Sequence, residues 1–379
     1  MRNIIGNNLT LTLFGESHNP EIGVVIDGLG AGIKIDEDYI SLCLSRRRPN
    51  SMIETSRKES DHYRFISGVF NSYTTGSSVG IIIENENIKS SDYDDIAHLA
   101  RPGHADYTAY VKYHGFNDYR GGGHFSGRLT TPIVIAGAIV KKALEKFDIK
   151  IVSHIKQIGN VIDRDFEDLN EDVALVKDQF FPVLNQVQNQ MEEEIAKARS
   201  EEDSLGGKIQ VVVTNLPVGL GEPYFSSIES EISKAMFSLG GVKGIEFGLG
   251  FGFCSSKGSQ VNDAFTYSGD KVITKTNYNG GINGGISNGM PVVFSLAIKP
   301  TPSISKTQKT IDFEKQMDTK INIKGRHDPC IVRRICVVSE ALTALVIGDL
   351  LIAKYGNDVF TKEKLDKYGV WINWKKIRS

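Results

Sequence analysis

Residues 9–13, Leu-Thr-Leu-Thr-Leu, alternate apolar and polar with period two, the pattern of a strand with one buried face. The turn Gly15-Glu16-Ser17-His18 follows, and Val24-Val25-Ile26 offers a partner strand. Asp36 reads as a helix cap, with Glu37 and Asp38 in the first turn. Arg46-Arg47-Arg48 falls at the other end before Pro49, where cations offset the helix dipole. Gly80-Ile81-Ile82-Ile83 suits a buried strand. Thr130-Thr131-Pro132 opens a helix with a capping hydroxyl, a first-turn proline and apolar periodicity through Phe147. Strands are expected at 209–213 and 292–298. Ser226-x-x-Glu229 reads as a capping box for a helix running to Gly240-Gly241, and 339–354 as a further helix. The stretch 159–202 is the most polar and least patterned, a peripheral insertion with a helix over 183–199. Strands and helices mix without a regular βα repeat, so a layered α/β or α+β architecture fits better than a barrel or a Rossmann domain. No short repeat or low-complexity linker divides the chain, and 1–379 reads as one continuous domain.

Composition narrows the function classes. Hydrophobic residues at 40% and charged residues at 24% describe an ordinary globular chain. Lys+Arg of 44 against Asp+Glu of 46 excludes a generally basic nucleic-acid coat, so any anion binding must come from local clusters. The apolar stretches 132–140 and 341–353 are too short to span a bilayer. The opening MRNIIGNNLTLTLFGESH lacks the form of a signal peptide, which points to a cytoplasmic protein. Cys43, Cys254, Cys330 and Cys336 include no C-x-x-C pair, which argues against zinc and dithiol chemistry and for reduced thiols. Glycine is the outlier, 38 of 379 residues. That is about 10% where about 7% is usual, so many positions need positive φ or close approach.

The glycines gather beside cations and hydroxyls. Tyr119-Arg120-Gly121-Gly122-Gly123-His124-Phe125-Ser126-Gly127-Arg128 precedes a helix start, where free amides and an arginine make an anion site; a plain flexible loop is the bland alternative. The run 279–290 carries five glycines and can be neither helix nor ordinary strand. Lys299-Pro300-Thr301-Pro302-Ser303 sets a lysine and two hydroxyls on a stiff turn suited to phosphate, or is a stiffened turn and nothing more. Arg46–48 serves as a helix terminus, a nucleic-acid stripe, or a clamp for a small di- or trianion. His18, His104 and His327 each sit in a Gly- or Pro-punctuated turn beside Ser, Asp or Arg, where proton-transfer groups tend to be placed. His62, His98, His114 and His154 lack such company. No Rossmann, P-loop or H-E-x-x-H fingerprint is complete.

With these residues the chain resembles the chorismate synthase family. The motifs run in order over residues 6–353: GESH at 15–18, RRRP at 46–49, RPGHADYT at 101–108, DYRGGG at 118–123 and SGR at 126–128. GLGEP at 219–223, VKG at 242–244, GGIxGGISNGMP at 280–291, KPTPS at 299–303 and GRHDPC at 325–330 complete the set. The resemblance implies helices sandwiched between two four-stranded antiparallel sheets, and homotetramers. It implies conversion of 5-enolpyruvylshikimate 3-phosphate to chorismate and phosphate by 1,4-anti elimination, a carbon–oxygen lyase step of the shikimate pathway to aromatic amino acids. Reduced FMN is the implied cofactor, with no net redox change.

The family likeness also implies roles. Arg47, Arg48 and Arg128 face the substrate. His124, Phe125, Ser126, Gly240, Gly241, Gly284, Lys299, Pro300, Thr301, Pro302, Ser303 and Arg326 hold FMN. His18, assisted by Ser17, is the general acid near the departing phosphate. His104 lies by the flavin N1 region, and Asp328 with Ser126 manages the N5 proton. In the family picture the reduced flavin donates an electron transiently and helps remove the C6 hydrogen. No metal, nucleic acid or membrane is implied. Without a nicotinamide fingerprint, an external flavin reductase is favoured over intrinsic NADPH-dependent reduction. The chain departs from the family pattern at Asn19, Asn50, Ile53, His124, Leu129 and Arg333. Two other readings differ in observables. A flavin oxidoreductase would consume reductant in proportion to product, and an RNA- or anion-binding protein would show salt-steep binding without turnover.

Overall fold

The computed structural model describes residues 3–49, 54, 60–86, 97–323 and 328–361. Two antiparallel sheets enclose a helical layer. The first contains β1 (Ile4–Ile5), β2 (Thr10–Gly15), β3 (Glu21–Asp27), β4 (Tyr63–Ser67) and β5 (Val79–Glu84), in spatial order β1-β2-β3-β5-β4. The second contains β6 (Lys150–Ile158), β7 (Val161–Ile162), β8 (Gly207–Thr214), β9 (Val242–Phe247) and β10 (Val292–Ile298), in order β9-β10-β8-β6-β7. Each sheet therefore has the four strands expected, plus a two-residue strand at one edge.

The longer helices are α1 (Glu37–Arg47), α2 (Asp106–Lys112), α3 (Thr130–Leu144), α4 (Leu169–Val176), α5 (Gln188–Ser200), α6 (Ile228–Met236) and α7 (Val332–Tyr355). α3 packs on β3 and β5, α7 on β6 and β8, and the two helices pack on each other. A Cβ at Gly137 would overlap Ala341, so these central helices touch backbone to backbone. α1 lies against both and α6 against α7. Ile22, Val24 and Ile26 of β3 and Ile81 and Ile83 of β5 alternate inward onto this layer, fully buried. On β8 the alternation disappears, because Val211, Val212 and Val213 are all buried. Val212 and Val152 pack beneath Val173, Val176 and Leu184, so the 159–202 segment covers the sheet's outer face and its strands are apolar on both sides.

Several element boundaries differ from the sequence pattern. α7 begins at Val332, seven residues before Ser339, which lies mid-helix with its hydroxyl donating to Cys336 O at 2.7 Å. The helix is 24 residues long, and its 18-residue window of mean hydropathy 2.1 has the length and composition of a membrane span, where residues 341–353 alone looked too short. That window is wholly buried between the sheets. α6 is capped by Ser227, whose hydroxyl accepts from Ser230 N at 3.0 Å, and not by Ser226, which closes a preceding 3-10 turn. It ends at Met236, before Gly240-Gly241. α3 starts at Thr130 with no side-chain cap; the Thr130 hydroxyl turns back to Gly127 O at 2.7 Å. Within the insertion, α5 begins five residues later than the pattern suggested and α4 was not anticipated.

Candidate active site

The turn after β2 carries Ser17 and His18 into the interior, with 0% and 5% of their surface exposed. The triglycine loop lies directly on them. Ser17 N donates to Gly123 O at 3.2 Å. A Cβ on Gly121 would overlap the Cδ2 and Nε2 edge of His18, and Gly121 also has φ +59°, a region glycine enters freely. The next residue, Gly122, presents its open side to His104, where a Cβ would sit 3.5 Å from Cε1 and Nε2. One loop thus touches both histidines, and all three glycines have positive φ: a Cβ at Gly121 would overlap the His18 ring, and one at Gly123 would overlap the Asp118 carbonyl. The loop is packed against Ser17 and His18 rather than standing free at the surface.

His104 is oriented from behind. Its Nδ1 lies 2.7 Å from Asp106 Oδ1, and Arg101 forks onto the same carboxylate with two 2.7 Å bonds. Arg101 has no acceptor, so the Nδ1 proton goes to Asp106 and Nε2 faces Gly122. Burial would raise the Asp106 carboxyl, but bonds from Arg101 and His104 hold it well below the usual range. The 299–303 turn closes the same side: Lys299 Nζ donates to Gly103 O at 2.5 Å, and Ser303 Oγ accepts from Arg101 Nη1 at 3.4 Å. Lys299 N donates to Gly241 O at 2.8 Å, which brings Gly240-Gly241 alongside.

The cations converge on one acid. The carboxylate of Asp61, fully buried, accepts from Arg47 Nη2 at 3.2 Å, from Arg48 Nε at 2.8 Å and from Arg128 Nη1. Three positive charges meet one negative charge. Burial would raise the Asp61 carboxyl, but Arg47, Arg128 and Arg48 overcome it and bring it down to about 2. Burial pushes Arg47 down to about 10, aided by Arg334 and Arg128 and opposed by Asp61. It remains charged at neutral pH, and a further anion would relieve the excess. Asp328 is joined to this cluster through Arg334, which donates to Asp328 Oδ2 at 2.8 Å and to the Arg47 carbonyl at 2.9 Å. The adjacent Arg333 grips the carbonyls of Arg46 and Arg48 and the carboxylate of Glu54, so α7 satisfies the C-terminal carbonyls of α1. Arg46 itself points inward to Glu340 with two 2.9 Å bonds and is not part of the site.

Nine buried side-chain polar atoms have no hydrogen-bond partner among the described residues, Ser17 Oγ, Arg47 Nε and Thr301 Oγ1 among them. Orphaned groups of this kind are costly unless something else satisfies them. These three belong to segments of this site, while the other six lie elsewhere in the fold.

Of the residues singled out from the sequence, Ser17, His18, Arg47, Arg48, His104, Arg128, Lys299, Ser303 and Asp328 join one continuous chain of contacts. His124 contacts Gly15 O at 3.4 Å, and Ser126 Oγ caps Arg128 N at 3.3 Å. Phe125 is 45% exposed and leans toward Tyr113. Gly284 lies apart, on a hairpin packed against 219–228 beyond the opposite end of β10. β10, seven residues at about 3.3 Å each, is itself roughly 20 Å long and separates this hairpin from Lys299 along the chain. Arg326 and His327, with the departures Asn50 and Ile53, lie outside the described residues. Sequence reasoning missed Asp61, Asn85 and Arg334. Asp106 carried a signal, an acid two residues after a histidine at a helix start.

Two histidines on a glycine loop, beside surplus buried arginine charge, make a candidate site of the kind an enzyme acting on a small molecule has. A family model described as chorismate synthase matches residues 9–352. Chorismate synthase of Pyrococcus abyssi is 46% identical over 347 residues, 92% of this chain and 97% of that protein. That of Dehalococcoides mccartyi (strain ATCC BAA-2100 / JCM 16839 / KCTC 5957 / BAV1) is 43% identical over 355 residues, 93% and 97%. A solved structure titled as the crystal structure of chorismate synthase superposes with a TM-score of 0.72 at 28% identity, covering 97% of this chain and 99% of that one. The chain belongs to the chorismate synthase family, and is a lyase of the shikimate pathway.

Proposed function

We propose that the chain converts 5-enolpyruvylshikimate 3-phosphate to chorismate and phosphate by 1,4-anti elimination with reduced FMN. The observation that carries this reading is the unbroken path from Lys299 through His104, the triglycine loop and His18 to the arginines on Asp61. The residues present fit the cofactor: the orphaned Thr301 hydroxyl, Lys299 and Gly241 are contiguous, and with His124, Phe125, Ser126, Gly240, Pro300, Pro302 and Ser303 they would hold it, joined by Arg326, which lies outside the described residues. Bound reduced FMN supplies transient electron donation and a base for the C6 hydrogen.

The protein's own groups do the rest. Arg47, Arg48 and Arg128 bind the substrate's phosphate and carboxylates in a site dry enough for their charge to count. His18, with Ser17 beside it, gives a proton to the departing phosphate oxygen as the C–O bond breaks. His104, held by Asp106, would direct Nε2 toward the bound cofactor, and Asp328 with Ser126 would handle the proton released there. The same reading makes the chain one domain over 1–379, with 159–202 peripheral. It also makes the protein a cytoplasmic homotetramer supplied by an external flavin reductase, with Gly284 completing the cofactor site.

The test is anaerobic. Protein, chemically reduced FMN and substrate should release phosphate and chorismate together with only catalytic flavin. Stoichiometric consumption of reductant would favour an oxidoreductase instead, and absence of turnover would remove the reading. A parallel reaction with oxidised FMN and NADPH decides where the electrons come from.

A further inference from the structure

Asn85 follows β5 and lies between the two halves of the site. Its Oδ1 accepts from Arg128 Nε at 2.8 Å, while its Nδ2 donates to Asn19 O at 2.7 Å and Glu16 O at 3.3 Å. The orientation of the amide is fixed by its partners. A guanidinium only donates and peptide carbonyls only accept, so the oxygen must face Arg128 and the nitrogen the turn. The backbone is pinned too: Asn85 N donates to Pro20 O at 2.9 Å, and the preceding Glu84 carbonyl accepts from Arg128 Nη2 at 2.9 Å. The side chain is 8% exposed, so water does not readily replace these bonds. Only a group with a donor and an acceptor on one short planar head satisfies both sides, which a carboxylate or a hydrocarbon cannot do.

We infer that Asn85 is a positioning residue that sets the turn carrying His18 against the arginine cluster, so that the acid is registered on the anion those arginines hold. The inference rests on the proposed roles of His18 and Arg128.

Asn85→Asp separates the two functions. It keeps an acceptor for Arg128 but turns an oxygen toward the Glu16 and Asn19 carbonyls, which releases the turn. Misplacing a catalytic group by about 1 Å costs on the order of 100-fold. Asn85→Asp should therefore lower kcat about 10- to 100-fold, with KM for the phosphorylated substrate within about 3-fold. Asn85→Ala, which frees Arg128 as well, should also raise KM. The decisive measurement is the cycle with His18→Asn. If Asn85 acts through His18, Asn85→Asp costs nothing further in that background, whereas a merely structural defect multiplies with it. Wild-type kcat in Asn85→Asp beside an impaired His18→Asn overturns the inference alone, as does a fully multiplicative double variant. Wild-type kcat in a folded His18→Asn overturns the reading of His18 and the inference with it.

Discussion

Replacing Asp61 with asparagine removes the one negative charge that three arginines share while keeping the shape of the side chain. The carboxyl is fully buried and is held at about 2, from an ordinary 3.8. At 1.36 kcal/mol per unit, that displacement corresponds to roughly 2–3 kcal/mol of stability at neutral pH. Breaking a buried pair by deleting one partner costs about 3–5 kcal/mol, and the amide oxygen left behind still accepts one bond, so the lower range applies. For a 379-residue chain, with an unfolding entropy of about 2.1 cal/mol/K per residue, the expected fall in Tm is about 3–4 °C. The sign with pH follows from the depressed carboxyl. Its contribution is complete above the unfolded value of 3.8 and is lost as pH falls through about 2, so wild type and variant converge in strong acid. Differential scanning calorimetry at pH 7, with inorganic phosphate against chloride at matched ionic strength, adds the functional half. An external dianion should recover most of the loss in Asp61→Asn and raise the variant's Tm more than the wild type's. A Tm within 1 °C of wild type, or equal phosphate gains in both proteins, would refute the account of Asp61 as the cluster's internal counter-ion.

Gly121→Ala places a methyl group against the His18 ring at φ +59° and should reduce kcat at least about 100-fold in a protein whose circular dichroism is unchanged; retention of a tenth of the activity would contradict the packing described. Thr301→Val removes a buried hydroxyl with no partner among the described residues, so without ligand it should leave the Tm unchanged or slightly raised. In the same variant FMN affinity, read by fluorescence titration, should weaken by about tenfold, and an unchanged Kd would remove Thr301 from the cofactor site. Among the thiols, Cys254 is exposed while Cys43, Cys330 and Cys336 are buried, with burial raising all three and pushing Cys330 and Cys336 to about 12. A disulfide reagent at pH 8 should therefore titrate one thiol quickly in the native protein and none in Cys254→Ser.

The sequence alone determined whatever depends on neighbours along the chain. Alternation placed β2, short apolar runs placed β3, β5 and β10, and Asp36 capped α1 as read, its carboxylate accepting from Tyr39 N at 2.9 Å. Ordered motifs identified the family, because a glycine run beside a histidine or an arginine keeps its chemistry in one dimension. Local patterns misplaced the start of α7: Ser339 lies mid-helix with its hydroxyl bonded back to Cys336 O, and burial between two sheets carries the helix back to Val332. Nor could spacing show that Arg46 turns inward to Glu340 while Arg47 turns to Asp61, since adjacent residues on a helix point about 100° apart and the partners lie elsewhere in the chain. Asp61 and Asn85 are ordinary polar residues in the sequence. They become the counter-ion and the bridge of the site only because folding places them where buried charge and unpaired carbonyls must be satisfied, a requirement that exists in three dimensions and not along the chain.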